Sequence, residues 1–306
     1  FDILKQFDKA IYHAENYRDI NFSKQHNINN ELIIPNAADS DEFSVDRSQT
    51  FRNSVSADDS TFIILTVGTL TGSKGHLELV KAYAELNLEG RKSVLILNGN
   101  QPEFSGQNSS KLKKVISLLK TYGLFFTIKH IVKSILIRCN FHIGKAETIS
   151  SWSLKINKSQ ASDKKVIVVD MPRDELIQAY LNADLFVFAS NIEYSPLVLF
   201  EACAAGGPFL TVPVGNSKEI VKWTGGGEIC EASVDVQGFT RVAPSVLAKR
   251  IEEMAASPDK LDNLGKKGQE MSKKRFNWDS IAGEYEQLFL ELIKDKDAEI
   301  NLISYI

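Results

Sequence analysis

Residues 182–207 read NADLFVFASNIEYSPLVLFEACAAGG, and they predict a strand, a loop and a helix in succession. The apolar run at 185–189 is typical of a buried parallel strand. Residues 190–196 are polar and turn-like, and a helix is predicted from Leu197 up to the turn at Gly206. The stretch is therefore one β-loop-α unit of a parallel α/β sheet.

Two acidic residues lie on this unit, Glu193 in the loop and Glu201 near the start of the helix. In a doubly wound sheet, ligands bind at the carboxyl ends of strands, where the amides of Leu197 and Val198 would face an anion. A carboxylate beside an anion is costly unless it accepts hydrogen bonds from hydroxyl groups. A sugar or a ribose supplies such hydroxyls, so the unit suits a polyol phosphate.

The pattern S-x-x-E-x-x-P-L-V-x-x-E-A-x-A-x-G, which begins at Ser190, resembles the donor-binding signature of family 4 of the GT-B glycosyltransferases. The flanking strand, Pro196 and the glycine turn strengthen the resemblance beyond the acid pair, which alone is also typical of a loop acid and a solvated helix acid. The resemblance implies a Rossmann-like doubly wound parallel sheet, the C-terminal domain of a GT-B glycosyltransferase. It further implies hexose transfer from a nucleoside diphosphate sugar with retention, and it implies no cofactor and no essential metal.

A second strand-loop-helix unit begins with the apolar run at 62–67 and continues into a loop that contains Gly68 and Gly75. Such a loop can cradle phosphate, and Lys74 can add a positive charge to it. The unit resembles the family segment V-G-R-L-x-x-x-K-G, whose arginine and lysine embrace the donor diphosphate. Lys74 matches the lysine, whereas Thr69 stands where the arginine would be, which removes a bidentate donor. The alternative is that Lys74 is an ordinary solvated loop lysine.

Further candidates follow the two next strands, predicted at 93–98 and 166–169. Gly99 begins a loop that resembles a family G-x-G turn. Met171 and Arg173 lie in the exit loop that passes the nucleotide base in the family. The resemblance assigns Lys74 and the first helix amides to the leaving diphosphate, Glu201 to the ribose hydroxyls and Glu193 to the sugar hydroxyls. With the catalytic candidates Glu193 and Lys74, the predicted donor site comprises Gly68, Thr69, Gly99, Met171, Arg173, Ser190, Ser195, Pro196, Leu197, Val198 and Glu201.

The resemblance also divides the chain into four parts. They are the end of an acceptor domain with the inter-domain junction at 1–45, a polar linker at 46–60, a nucleotide-sugar-binding domain at 61–275 and a tail helix at 276–306. Apolar spacing within 1–31 predicts a helix there, and IPNAAD at 34–39 partly matches the family junction. Because only the donor-binding half is represented, we expect the chain to be a fragment that binds donor and transfers poorly or not at all.

A basic insertion at about 104–160 interrupts the family pattern. Residues 104–146 contain eight Lys or Arg and no Asp or Glu, and their apolar residues recur at helical spacing. Such helices bind anionic membrane surfaces, so residues 111–145 predict a peripheral membrane contact, which would fit a lipid-linked acceptor. The resemblance itself implies a glycan or lipid-linked acceptor. The alternative is a helix packed on the sheet with its lysines in water.

Composition narrows the remaining classes. The 306 residues are 43% hydrophobic with a formal charge of -3, which gives no indication of nucleic-acid binding. The three cysteines show neither metal nor disulfide spacing, which favours a cytoplasmic protein. From the basic insertion and the resemblance, we expect it at the inner face of the membrane, in cell-surface polysaccharide biosynthesis. Three other functions remain open: a non-catalytic nucleotide-sugar-binding module, a sugar-nucleotide epimerase of the same fold, and a membrane-surface scaffold.

Overall fold

The structure is a computed structural model that describes residues 2–100, 147–159 and 163–303. Its strands are β1 (Ala10–Tyr12), β2 (Glu31–Ile33), β3 (Phe62–Val67), β4 (Ser93–Asn98), β5 (Lys164–Val169), β6 (Leu185–Phe188), β7 (Phe209–Thr211), β8 (Gly227–Ile229), β9 (Ser233–Val234) and β10 (Thr240–Arg241). After a short 3-10 helix, Asp2–Gln6, its α-helices are α1 (Arg18–Gln25), α2 (Gln49–Ser54), α3 (His76–Glu85), α4 (Ile149–Lys158), α5 (Arg173–Asn182), α6 (Leu197–Ala204), α7 (Ser217–Thr224), α8 (Pro244–Ala255), α9 (Pro258–Lys274) and α10 (Trp278–Ile303).

A six-stranded sheet with the order β5-β4-β3-β6-β7-β8 lies at the centre, and every pairing in it is parallel. From β3 the chain adds strands in one direction, and from β6 it adds them in the other. Because crossover connections are right-handed, this reversal places helices on both faces of the sheet. The doubly wound parallel sheet predicted from the sequence is therefore confirmed, with β3 and β6 as neighbours at the reversal.

Strands β3 and β4 follow the apolar runs that predicted them, residue for residue. Both are buried on their two faces, which is why their sequences show no alternation. Helix α3 buries Leu79, Val80 and Tyr83 against them. The Tyr83 hydroxyl satisfies its polar end by donating to the Ser93 carbonyl at 2.8 Å.

The predicted helix within residues 1–31 is wrong for most of that segment. Residues 10–12 form strand β1, which pairs in parallel with β2, and only α1 is α-helical there. Ile11 of β1 is apolar because it packs on a small cluster built around Ile34, Ile281 and Leu288. That cluster attaches strands β1 and β2 to α10.

The segment at 46–60, expected to be a polar linker, contains helix α2. Ser48 caps this helix by accepting a hydrogen bond from the Phe51 amide at 3.4 Å. Phe51, Val55 and Ala57 are buried in the main core. Three apolar side chains thus fix a segment whose composition is otherwise polar.

The predicted membrane contact at 111–145 lies outside the described residues. Of the insertion, the structure describes α4, which packs on α3 and β5 and buries Ile156. Among the helices of the described residues, none combines the length and the apolar composition that a membrane span requires.

Candidate functional site

The loops that follow β3 and β6 meet at the carboxyl edge of the sheet, at the point where the strand order reverses. The Asn191 amide donates to the Ser73 carbonyl at 2.9 Å across the two loops. Gly75 has φ +69° and packs so closely that a Cβ atom there would lie 1.7 Å from the Ala189 carbonyl oxygen. Only glycine fits this position, both for its left-handed backbone and for its space.

This contact brings Lys74 to Glu193, 119 positions away in the chain, and the two side chains form an ion pair. The Ser190 hydroxyl lies 3.4 Å from the same Glu193 oxygen and donates to the Ile192 carbonyl at 3.1 Å. The side chains of Lys74 and Glu193 keep 27% and 19% of their surface exposed. A carboxylate accepts several hydrogen bonds, so Glu193 retains acceptor capacity toward a ligand.

The second acid of the unit, Glu201, is fixed through both of its oxygens. Arg173 donates to Oε1 at 2.7 Å, and the buried Tyr180 hydroxyl donates to Oε2 at 2.8 Å. Burial raises the pKa of Tyr180 well above its usual range, so the phenol stays a donor at neutral pH. Arg173 also forms a fork with Glu42 of the junction.

Backbone and amide hydrogen bonds join the ends of β3, β4 and β5 into one platform. The Gly68 amide donates to the Asn98 carbonyl at 3.0 Å, and the Met171 amide donates to the Asn98 side chain at 2.8 Å. The Gly99 amide likewise donates to the Val169 carbonyl at 2.8 Å. A Cβ on Gly99 would lie 1.9 Å from the Gly68 carbonyl oxygen, so the two loops require this glycine.

Helix α6 begins directly after the loop, with Pro196 in front of it. Leu197 is exposed and Val198 half-buried, and their amides belong to the first turn, where helix amides have no intrahelical acceptor. The Ser195 hydroxyl is buried and has no hydrogen-bond partner among the described residues. The two amides and the Ser195 hydroxyl are therefore available to hydrogen-bond a ligand near Glu193.

The segment from His13 to Tyr17 braces the same loop. The Tyr17 hydroxyl donates to the Glu193 carbonyl at 2.5 Å, and the His13 amide donates to the Tyr194 hydroxyl at 3.1 Å. Glu219 at the start of α7 anchors the segment, since its carboxylate accepts from the amides of residues 15 and 16 at 2.8 and 2.9 Å. The predicted catalytic acid is thus placed by residues from the beginning of the chain.

His76, the first residue of α3, lies beneath the Lys74 loop with 1% of its surface exposed. Neither ring nitrogen has a hydrogen-bond partner within the described ranges. Burial, with a smaller contribution from the Lys74 charge, lowers the pKa of His76 to about 4. The ring is therefore neutral at physiological pH. It does not replace the positive charge of the family arginine, whose position Thr69 occupies.

Several open cavities among the described residues lie away from this cluster. Two of them, of about 590 and 460 Å³, lie at the amino-terminal edge of the sheet, lined by residues such as Arg91, Trp152 and Asp184. The convergent charged side chains lie at the opposite, carboxyl edge, where a doubly wound sheet binds its ligands. Within residues 2–100, 147–159 and 163–303, no group of three or more His, Cys, Asp or Glu side chains is arranged to hold a metal.

The structure places the predicted residues in three groups at this edge. Lys74, Ser190 and Glu193 form the first, Gly68, Gly99 and Met171 the platform, and Arg173 with Glu201 the third. Thr69 is exposed on its loop. Sequence reasoning did not assign Glu42 or Tyr17 to the site, and nothing in their local sequence indicates these long-range contacts. Tyr180, which donates to Glu201, was likewise not assigned to the site.

Comparisons with known proteins show which families and folds this chain resembles. A family model described as "Glycosyl transferases group 1" matches residues 140–271. N-acetyl-alpha-D-glucosaminyl L-malate synthase of Bacillus anthracis is 27% identical over 123 residues, which are 40% of this chain and 30% of that protein.

Solved structures of similar fold cover almost the whole chain. Sucrose-phosphate synthase from Thermosynechococcus elongatus superposes with a TM-score of 0.63 at 21% identity, covering 96% of this chain and 60% of that one. Anabaena HepE, solved in complex with UDP, superposes with a TM-score of 0.62 at 15% identity, covering 95% and 66%. The predicted GT-B type of α/β fold is therefore confirmed, and the chain spans less than two thirds of the length of these relatives.

Proposed function

We propose that this chain is the donor-binding part of a family 4 glycosyltransferase, its C-terminal half, which transfers a hexose from a UDP- or GDP-linked sugar with retention. The observation that carries the proposal is the meeting of Lys74 and Glu193 at the reversal of the strand order, with Glu201 on the following helix. A cation, a carboxylate with spare acceptor capacity and a second carboxylate match the charges and hydroxyls of a nucleoside diphosphate sugar. The family match over residues 140–271 and the fold shared with a UDP-bound protein support it.

Each group has a role that follows from its chemistry. When the bond between the anomeric carbon and the diphosphate oxygen breaks, negative charge develops on the diphosphate. The Lys74 ammonium and the amides of Leu197 and Val198 are fixed donors that stabilise this charge. Glu193 accepts hydrogen bonds from sugar hydroxyls and Glu201 from the ribose, while no residue of the described site requires a metal for these tasks.

The acceptor, a glycan or a lipid-linked glycan, belongs to the same proposal. The brace from His13 to Tyr17 lies beside the catalytic loop, and residues 1–45 are proposed to be the end of a preceding acceptor domain. A role in polysaccharide synthesis at the inner face of the membrane rests on the basic composition of residues 111–145.

Calorimetric titration of the folded chain with UDP, GDP and their hexose conjugates tests the proposal. We expect saturable binding of one base class, weakened by about tenfold or more in Lys74→Ala and in Glu201→Ala, because each variant removes a charged hydrogen-bond partner. Lys81→Ala is a matched control, since Lys81 pairs with Glu147 outside the site. Absence of binding by the folded wild type to every nucleotide would contradict the proposal.

A second candidate, a nucleotide-sugar-binding module without turnover, is favoured by Thr69. An arginine there would offer the bidentate fork that a diphosphate needs most during bond breaking. Thr69→Arg distinguishes the two candidates. A large gain in turnover with little change in nucleotide affinity would favour the non-catalytic module for the natural chain, whereas turnover by the wild type together with its acceptor domain would exclude it.

A further inference from the structure

We propose that Arg173 is a positioning residue for Glu201, and that its guanidinium couples the ribose-binding carboxylate to Glu42 of the junction. This inference rests on the proposed function and reassigns Arg173, which the family pattern had placed beside the nucleotide base. It predicts a residue that acts on the ribose hydroxyls through Glu201 and makes no contact with the base.

The contacts of Arg173 fix the plane of its guanidinium. Nη1 donates to Glu201 at 2.7 Å, while Nε and Nη2 form a fork on the two Glu42 oxygens, with Nε at 3.3 Å. The guanidinium also lies 5.6 Å from the centre of the Phe43 ring, which is itself buried. A forked arginine of this kind holds geometry as well as charge.

Glu201 is fixed from two directions as a result. Arg173 binds one oxygen and Tyr180 the other, so the carboxylate cannot rotate freely about its terminal bond. Each oxygen keeps a further lone pair. A carboxylate held in this way presents acceptors to two adjacent hydroxyls, which is the arrangement that a ribose 2′,3′-diol offers.

The charges explain why the arginine is needed. Glu201 has only 18% of its side chain exposed, and a carboxylate at this depth requires a charged or hydrogen-bonded partner. Without Arg173, Tyr180 would be its remaining described partner. The same guanidinium holds Glu42 next to the buried Phe43, so it links the ribose carboxylate physically to the junction segment.

Titration with a nucleoside diphosphate and its 2′,3′-dideoxy form tests the role, using the base that the wild type binds. We expect the wild type to bind the ribose form at least about tenfold more tightly. In Arg173→Gln the affinity for the ribose form should fall by about tenfold while that for the dideoxy form stays the same, so the preference collapses. Glu42→Gln should reduce the preference by a smaller factor, because it loosens only the far side of the guanidinium.

Arg250→Gln is the matched control, because Arg250 also pairs with two carboxylates, Glu228 and Glu253, at a distance from the site. Its preference should equal that of the wild type. Equal weakening of both nucleotides in Arg173→Gln would assign Arg173 to the base or the diphosphate and overturn the inference. An unchanged preference would also overturn it. A wild type that binds neither nucleotide would contradict the proposed function itself, a result distinct from either of these.

Discussion

Glu193 and Glu201 stand eight positions apart and are almost equally exposed, yet the structure holds them in different ways. Glu193 lies on a loop, and its described partners are the single ammonium of Lys74 and the weaker contact of Ser190. Glu201 lies on a helix between a forked guanidinium and a buried phenol. The first carboxylate is positioned by its backbone, and the second by its side-chain partners.

The difference matches what the two acids are proposed to do. An acid that binds a reacting sugar needs spare acceptor capacity, which Glu193 retains beside the single ammonium of Lys74. An acid that holds an unreactive ribose benefits from a fixed orientation. The four experiments below either separate the two sites or show that they are not separate.

The largest effect is expected from Gly75→Ala. This change disrupts the contact between the Lys74 loop and the Glu193 loop and leaves the partners of Glu201 in place. A methyl group would meet the Ala189 carbonyl in a left-handed backbone, so we expect the free energy of unfolding to fall by about 3 kcal/mol or more. Urea unfolding measures the loss. Gly72→Ala is the control: φ is also positive there, but the space is empty, and about 1 kcal/mol is expected. Equal losses in the two variants would show that the contact with Ala189 is not tight.

Lowering the pH should reduce the free energy of unfolding through His76, which lies beneath the Lys74 loop on the Glu193 side of the site. Its folded pKa of about 4 lies below the ordinary value of 6.5, so the unfolded chain binds the proton more readily. The stability is fully present above pH 6.5 and declines as the pH falls toward 4, by about 3 kcal/mol in total. Urea unfolding across this range should show a flatter pH dependence in His76→Leu than in the wild type. Parallel curves would mean that His76 finds a partner for its charged form.

The two acids themselves should differ in what they bind. Glu201→Gln is expected to lower the affinity for the nucleoside diphosphate by about 2 kcal/mol, because a charged acceptor for the ribose is lost. Glu193→Gln should leave that affinity unchanged and remove only the additional affinity of the sugar conjugate. Calorimetry with both ligands gives the four values. A loss of nucleotide affinity in Glu193→Gln would join the two sites into one.

The smallest effect compares the tyrosines that support each acid. Tyr180→Phe deletes a fully buried donor to the Glu201 carboxylate, and Tyr17→Phe deletes a half-buried donor to the Glu193 carbonyl. We expect losses of unfolding free energy of about 2 and about 1 kcal/mol, since hydrogen bonds to charged groups are stronger. Thermal unfolding of the two variants measures the difference, and a larger loss in Tyr17→Phe would reverse our assignment of backbone and side-chain control.

Most of the sheet could be predicted because its buried strands, such as Phe62–Val67, are continuous apolar runs bounded by glycine loops. Strand β1 could not, since three half-buried residues carry no period and their pairing with β2 is non-local. The site follows the same division. Lys74 and Glu193 lie on loops and Glu201 on the first turns of a helix, all at positions that the fold dictates, whereas the partners Glu42 and Tyr17 come from elsewhere in the chain. The role of each predicted site residue stays a prediction.

Asn98 lowers the conformational entropy that this edge of the sheet would lose when a ligand binds. Its backbone and side chain together fix the ends of three neighbouring strands, so Gly68 and Met171, where the chain leaves β3 and β5, are already held in place in the folded chain. The conformational freedom of this edge is surrendered during folding, and little remains for a ligand to restrict. A nucleotide that binds here should therefore lose less of its contact free energy to ordering the protein, and the edge should move as one rigid body.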